Sequence, residues 1–289
     1  PDGSLAAHVL GFVNFSNEPQ YGVEFYYDGQ LRGTDGVWQG INHPSGARLM
    51  AELGGYQPAV DGADLILTID RNVQYEAERI LRDAVVSSGA ASGSLIVLDP
   101  RTCALIAIAN SPTYEPGRFW EVGLETLRNA ATGTVYEPGS VIKPLTIAAA
   151  LDARVIYPDS TYVDNGVIVV GGQEVRNSDL RAHGETTMTE LLAYSLNVGA
   201  AHVASALGPA RFYEMFKRFG FSDPTGIDLT AEERGIMRVP GQDEWHPSDL
   251  GRNSYGQGMS ATPLQVAVAY SALANDGLMR RPHVVAAIR

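Results

Sequence analysis

The sequence predicts an α/β layer structure in which helices follow a central β-hairpin. Two short apolar runs, residues 94–98 and 104–109, are joined by a short link containing Pro100, which is typical of a β-hairpin. Helical patterns dominate the part of the chain that follows, at about residues 141–153, 186–206 and 209–219. Because strands and helices do not alternate regularly, the pattern argues against a doubly wound parallel sheet.

The first 60 residues differ in composition from the rest of the chain. They are rich in Gly, Asn, Asp and aromatic residues, with short extended pieces such as residues 23–27 and no pattern of a long helix. We therefore expect strands and turns in this part. The composition shifts near residues 61–63, which predicts a small segment at 1–60 and a larger domain at 61–289.

The larger segment opens with a predicted strand and a predicted long helix. Residues 64–69 have the pattern of a strand, and Asp70 is placed to cap a helix that continues to about Val86. The helical spacing puts five apolar side chains on the buried face, namely Val73, Ala77, Ile80, Leu81 and Ala84. A later helix is predicted over residues 263–275, with Pro263 as its first residue and Gly277 as its stop signal.

Composition argues against several classes of function. The 289 residues carry a formal net charge of −12, which argues against a broad nucleic-acid-binding surface. The single cysteine, Cys103, cannot form an internal disulfide or a cysteine-rich zinc site. The six histidines include no pair at i,i+4 spacing, and no apolar run approaches the ~18 residues of a membrane helix.

Ser140 and Lys143 form the first candidate pair for catalysis. Residues three apart share one face of a helix, and Pro144 is tolerated only near a helix start, which places Ser140 at a helix N-terminus. Only two of the 21 basic residues are lysines, and lysine, unlike arginine, can lose its proton when desolvated and activate a serine. The alternative is a serine N-cap followed by an exposed lysine, and these four residues alone favour it.

Ser195 and Asn197 form a second candidate element. They lie within an apolar stretch with a helical pattern, and polar side chains buried in such a stretch need hydrogen-bond partners. In a functional interpretation, Ser195 relays protons beside Lys143, and Asn197 binds both the lysine and an amide of the substrate. The alternative is a polar junction between two helical segments.

These segments together resemble the class B penicillin-binding proteins, the transpeptidases that cross-link bacterial peptidoglycan. The resemblance extends well beyond the Ser140 segment and covers nearly the whole chain. Its matching segments are residues 10–33, 64–74 (DLILTIDRNVQ), 98–116, 136–146 (YEPGSVIKPLT), 195–197, 219–229 (FGFSDPTGIDL) and 255–263 (YGQGMSATP).

The resemblance implies the penicillin-recognising α/β fold, with an antiparallel sheet between helices. Residues 1–60 would be the end of a mostly β, non-catalytic pedestal domain of the dimerisation type, and residues 61–289 the transpeptidase domain. The family's third motif, Lys-Thr-Gly, does not occur in these 289 residues, and the family's amino-terminal membrane anchor is also missing. The chain is therefore expected to be truncated at both ends, with the Ser140 pocket open where the third motif belongs. One face of the following helix would then lack apolar cover, namely Ile142, Leu145 and Ala149.

The resemblance also implies a serine acyl-transfer mechanism. Ser140 would attack a stem peptide ending in D-Ala-D-Ala and form an acyl-enzyme, which an amine from a neighbouring stem peptide resolves. Lys143 would act as the base, Ser195 would pass a proton to the leaving amine, and Asn197 would bind substrate. β-Lactams mimic the D-Ala-D-Ala end and would acylate the same serine.

Further expectations from the resemblance concern ligands and location. Substrate contacts are expected at Gly256, Gln257 and Gly258. No metal or organic cofactor is implied. The expected partners are peptidoglycan stem peptides, β-lactams and membrane-bound proteins of cell-wall synthesis, and nucleic acid is not among them. The full-length protein would be anchored at the extracytoplasmic face of the bacterial membrane.

Two other functions remain open on the sequence. A β-lactamase-type hydrolase would share Ser140 and Lys143, but it would lack a pedestal at residues 1–60 and would need a route for the water that deacylates it. A non-catalytic scaffold of the cell-wall machinery would keep the fold without the reaction.

Overall fold

The computed structural model describes residues 3–38, 41–42, 48–49 and 56–289 of the chain. Short elements make up its first part: α1 (Ala7–Leu10), β1 (Phe12–Val13), β2 (Pro19–Gln20), α2 (Gly22–Tyr26), α3 (Asp28–Leu31), β3 (Val37–Trp38), β4 (Ile41–Asn42), β5 (Arg48–Leu49) and β6 (Tyr56–Gln57). The strands pair antiparallel, β1 with β2, β3 with β6 and β4 with β5.

The predicted extended piece at residues 23–27 is wrong, because these residues lie mostly in the helix α2. The aromatic and β-branched composition favours a strand, but packing overrides it. Val23 is buried in a hydrophobic cluster that also contains Val9 of α1 and Ile108 further along the chain. Part of the prediction for residues 1–60 falls on positions 1–2, 39–40, 43–47 and 50–55, which lie outside the described residues.

The predicted strand, capped helix and hairpin are confirmed. They are β7 (Leu65–Leu67), α4 (Arg71–Ser88), β8 (Gly93–Leu98) and β9 (Leu105–Ser111). The Asp70 side chain accepts hydrogen bonds from the backbone N–H groups of Asn72 and Val73, so it is the N-cap of α4. Strands β8 and β9 pair antiparallel, with Ile96 opposite Ile108.

The buried face of α4 differs from the predicted one. Ala77 and Leu81 are buried as predicted, but the other three predicted side chains are exposed: Val73, Ile80 and Ala84. The helix is turned so that Gln74 faces β9, where its amide nitrogen donates to the Ile108 carbonyl and its amide oxygen accepts from the Ile108 N–H, both at 2.9 Å. These two hydrogen bonds to the sheet outweigh the cost of placing a polar side chain in the interface.

The rest of the chain is mainly helical. After a 3-10 turn at Pro116–Glu121 come α5 (Leu124–Leu127), α6 (Ala130–Gly133), a second 3-10 turn at Gly139–Ile142, α7 (Lys143–Asp152), β10 (Thr161–Asp164), β11 (Val167–Val170), β12 (Gln173–Arg176), β13 (Gly184–Thr187), α8 (Met188–Ala193), α9 (Asn197–Leu207), α10 (Pro209–Arg218), α11 (Pro247–Asn253), α12 (Pro263–Leu273) and β14 (Val285–Ile288). Strand β14 pairs with β7, β10 with β13, and β11 with β12. Within the described residues, no helix is both long and apolar enough to cross a bilayer.

The largest hydrophobic cluster surrounds α7. Ile142, Leu145 and Ala149 are completely buried in it, together with side chains of α9 and α10 such as Ala200 and Phe212. The expectation that this face of the helix lacks apolar cover is therefore wrong, because α9 and α10 provide the cover. Partly exposed apolar side chains lie instead on the side of β8, which pairs only with β9 among the described strands. They include Tyr136, Val141 and Tyr270, which line one shallow groove with Ile96.

Candidate active site

Ser140 lies at the start of the helix, as the position of Pro144 predicts. Gly139 adopts a left-handed φ of 64°, and the 3-10 turn Gly139–Ile142 leads directly into α7. Gly can adopt this conformation without the steric cost that a Cβ brings. We call residues 137–140 the nucleophile turn. It leaves Ser140 exposed at the N-terminal end of the helix, where the helix dipole favours a developing negative charge.

Lys143 is buried, with only 1% of its surface exposed, although its side chain carries an amine. The amine Nζ lies 3.1 Å from the Ser140 Oγ, 2.9 Å from the Ser195 Oγ and 2.5 Å from the Ser195 carbonyl oxygen. The alternative of a serine N-cap followed by an exposed lysine is therefore wrong. The structure brings Ser140, Lys143 and Ser195 together.

Burial lowers the pKa of Lys143 from its usual value of 10.5 to about 8, because desolvation penalises the charged ammonium. A neutral amine has two N–H groups and one lone pair. The two N–H groups can donate to the carbonyl and hydroxyl oxygens of Ser195, and the lone pair can accept the hydroxyl hydrogen of Ser140. The three contacts of Nζ thus suit a neutral base that removes a proton from Ser140.

Ser195 interrupts the helix that is predicted over residues 186–206. The structure has two helices there, α8 and α9, and Ser195 between them adopts a left-handed φ of 54°. This conformation is uncommon outside glycine and costs of the order of 1 kcal/mol. It directs both the hydroxyl and the carbonyl oxygen of Ser195 at Lys143. The strained conformation therefore allows one residue to offer two acceptors to the lysine amine.

Asn197 begins α9 and is half-buried beside this group. Its amide nitrogen donates to the Arg176 carbonyl at 3.0 Å, and none of the acceptors of the Lys143 amine belongs to Asn197. The predicted binding of Lys143 by Asn197 is thus wrong as far as hydrogen bonds are concerned. The side chain is held by the last residue of β12 instead.

Two buried residues that the sequence did not single out hold the start of α9. The Asn177 side-chain oxygen accepts from the Val198 N–H at 3.0 Å, and its amide nitrogen donates to both carboxylate oxygens of Asp164 at 3.0 Å. Asn177 lies in a loop twenty residues before Asn197, and no sequence pattern indicates that it holds the start of α9.

Gly256, Gln257 and Gly258 form a turn against the nucleophile turn. The Gly256 carbonyl accepts from the Gly139 N–H at 2.9 Å, and the Gly258 N–H donates to a carboxylate oxygen of Glu137 at 2.9 Å. Gly256 is buried, whereas Gln257 is exposed. The two glycines therefore hold the nucleophile turn in place, and Gln257 is the member of this turn with a side chain that a ligand can reach.

A cavity of about 510 Å³ lies between β12 and α11. Its lining is mostly polar and includes Gln173, Glu174, His246, Arg252 and Tyr255. Strand β12 ends at the carbonyl that holds Asn197, and Tyr255 leads directly into the glycine turn. The described residues contain no group of three or more His, Cys, Asp or Glu side chains placed to hold a metal ion.

Comparison with protein families finds a match over residues 93–289 to the penicillin binding protein transpeptidase domain. The chain is 34% identical to the penicillin-binding protein PbpB of Mycolicibacterium smegmatis, over 99% of this chain and 44% of the relative. It is 30% identical to the peptidoglycan D,D-transpeptidase FtsI of Escherichia coli, over 97% of this chain and 46% of the relative. The chain thus spans less than half the length of these curated relatives.

Solved structures give the same result. The chain matches penicillin-binding protein 3 of Mycobacterium tuberculosis in complex with ampicillin at a TM-score of 0.86 and 33% identity, over 100% of this chain and 60% of the other. A putative peptidoglycan glycosyltransferase from Atopobium parvulum matches at a TM-score of 0.87 and 32% identity, over 99% of this chain and 64% of the other. The expected α/β transpeptidase fold is confirmed by these matches.

Proposed function

Because the chain belongs to the penicillin binding protein transpeptidase family, we propose that it cross-links peptidoglycan stem peptides as a serine D,D-transpeptidase. The observation that carries the proposal is the buried Lys143 amine, placed between the Ser140 hydroxyl and the two oxygens of Ser195. The names of relatives such as the peptidoglycan D,D-transpeptidase of E. coli support the choice of substrate.

In the first half of the reaction, the Ser140 Oγ attacks the carbonyl carbon of the penultimate D-Ala, and its proton moves to the neutral Lys143 amine. The Ser140 N–H, at the helix N-terminus, donates to the oxyanion of the tetrahedral intermediate. The peptide C–N bond then breaks. The leaving D-Ala amine takes up a proton from the Ser195 hydroxyl, which Lys143 replenishes, and an ester on Ser140 remains.

In the second half, the amine of another stem peptide attacks the ester. The proton of this amine passes to Lys143, the C–Oγ bond breaks, and the Ser140 hydroxyl is restored as the new peptide bond forms. A β-lactam opens its ring in the first half and stays attached to Ser140. In this proposal, the side chains of Asn197 and Gln257 contact the substrate amides.

The surroundings of the reaction follow from its substrate. Peptidoglycan lies outside the cytoplasmic membrane, so the site works on that side, alongside membrane-bound proteins of cell-wall synthesis. Residues 61–289 carry the chemistry in this proposal, and residues 1–60 act as a non-catalytic support.

Labelling the protein with a fluorescent penicillin tests the proposal. We expect one label per chain, mapped by mass spectrometry to Ser140, and no label in Ser140→Ala. A matched control is Ser87→Ala, which changes an exposed serine at the end of α4 and should leave labelling unchanged. A label on another serine would contradict the proposal. Rapid turnover of a chromogenic cephalosporin would indicate a hydrolase instead, and the absence of any label would favour a scaffold.

A further inference from the structure

A line of three hydrogen-bonded side chains leads from the partly exposed Trp245 through two buried residues to the turn at residues 256–258. The Trp245 indole N–H donates to the Tyr213 hydroxyl at 3.0 Å, and this hydroxyl lies 3.0 Å from the Asn253 side-chain amide. Asn253 is 0% exposed and Tyr213 only 3%. None of the hydrogen bonds of these three side chains reaches Ser140 or Lys143, so the mechanism above does not use them.

The orientation of the Asn253 amide follows from its neighbours. The backbone carbonyls of Gln257 and Gly258 lie 2.9 Å and 3.3 Å from one end of the amide, and carbonyls can only accept. The nitrogen is therefore assigned to that end, and the oxygen accepts from the Tyr213 hydroxyl at 3.0 Å. Donors then point in one direction along the whole line, from Trp245 through Tyr213 and Asn253 to the turn at Gln257.

The carbonyls held by Asn253 belong to the turn that contacts the nucleophile turn. Gly256 in that turn packs so closely that a Cβ atom there would lie 2.1 Å from the Gly139 carbonyl oxygen. The Gly139 N–H donates to the Gly256 carbonyl, and Glu137 accepts from the Gly258 N–H. Any shift of the glycine turn therefore shifts the backbone next to Ser140.

We propose that Asn253 is a positioning residue that sets the distance between the Ser140 hydroxyl and the Lys143 amine, with Tyr213 fixing the orientation of its amide. The inference rests on the proposed function, in which the 3.1 Å separation of these two groups serves the proton transfer. A displacement of about 1 Å at a reacting group can cost of the order of 10²-fold in rate. A fully buried amide with both ends hydrogen-bonded makes the backbone around it more rigid.

Asn253→Leu tests the inference, because leucine has a similar volume and no hydrogen-bonding groups. We expect the rate constant of acylation by a penicillin to fall by about 10- to 100-fold, with little change in the non-covalent affinity. Tyr213→Phe should lower the acylation rate constant by a smaller factor. It replaces Asn253→Leu as the test if that variant does not fold. The matched control is Gln74→Leu, which removes a buried amide on α4 and should leave the acylation rate constant unchanged.

Two further measurements separate positioning from loosening of the fold. The pKa of Lys143 should stay at about 8 in both variants, because its burial is unchanged. The Gly139 amide hydrogen should exchange at least about tenfold faster in Asn253→Leu than in the unmutated chain, after correction for global stability. If the unmutated chain is not acylated, the proposed function fails. The hydrogen exchange of the Gly139 amide still tests whether Asn253 holds the backbone next to Ser140. Unchanged exchange, or a Lys143 pKa that rises toward 10.5, would overturn the inference.

Discussion

At the scale of single residues, the proposed chemistry depends on one lysine in a chain whose other basic residues are almost all arginines. The use of Lys143 rather than arginine can be noticed in the sequence, and its spacing from Ser140 indicates a shared helix face. The sequence could not show that both oxygens of Ser195 converge on the amine, because this requires a left-handed residue between two helices. Mostly apolar side chains on both sides of Ser195 favour a continuous helix, and the break depends on tertiary contacts.

The pH dependence of acylation follows from the lowered pKa of Lys143. Below about pH 8 the amine is mostly protonated, and the neutral fraction rises by about tenfold for each pH unit. We expect the acylation rate constant for a penicillin to rise with the same slope from pH 6 to 7.5 and to level off above pH 8. Stopped-flow measurements across this range would show the inflection.

Lys143→Arg supplies the control for this profile. Arginine keeps the positive charge but does not deprotonate in this range, so acylation should slow by at least ~10²-fold and lose the inflection. A variant that keeps a near-normal rate would mean that Lys143 acts only as a positive charge.

At the scale of elements, the strand, the long helix and the hairpin could all be predicted from short patterns. Asp70 has the side chain of an N-cap, and alternating or continuous apolar runs mark β8 and β9. The buried face of α4 could not be predicted, because an analysis of hydrophobic periodicity treats Gln74 as a polar residue and therefore predicts that it is exposed. On that side of β9 none of the described strands pairs with Ile108, and the Gln74 amide makes the two backbone hydrogen bonds in its place. This arrangement can be seen only once the helix is packed on the sheet.

Replacing Gln74 tests this account of α4. Gln74→Leu should lower the free energy of unfolding by about 1–3 kcal/mol, because it leaves the buried N–H and carbonyl of Ile108 without their partners. Val73→Ala, on the face that was predicted to be buried, should change it by less than about 0.5 kcal/mol. Urea denaturation followed by circular dichroism measures both. Equal losses of unfolding free energy in the two variants would contradict this account and favour the face that the sequence predicts to be buried.

At the scale of the whole molecule, one buried carboxylate joins distant parts of the chain. Asp228 is 5% exposed. It accepts from the Tyr27 hydroxyl at 2.8 Å and from the N–H groups of Val284 and Val285 at 2.7 and 2.9 Å. It therefore connects the helices near the start of the chain, the segment before α11 and the strand β14. Nothing in the sequence links these three segments, since their separation exceeds 50 residues on either side of Asp228.

Removing this connection should destabilise the fold without altering the site. Asp228→Ala leaves three donors without an acceptor, so we expect a loss of about 3 kcal/mol or more in the free energy of unfolding, and Tyr27→Phe should lose about 1 kcal/mol. Tyr75→Phe, an exposed tyrosine on α4, is the control and should lose almost nothing. An Asp228→Ala variant as stable as this control would show that the three segments are held by packing alone.

The central claim is that Lys143 is a neutralisable base in contact with Ser140, and NMR of the lysine side chains tests it most directly. The chain has only two lysines, so labelling with ¹³Cε-lysine gives two signals, and Lys217→Arg assigns them. A titration from pH 6 to 11 reads the protonation of Lys143 without requiring any activity. We expect a midpoint at about 8. A midpoint above 10 would mean that the amine stays charged at neutral pH, and it would contradict the account.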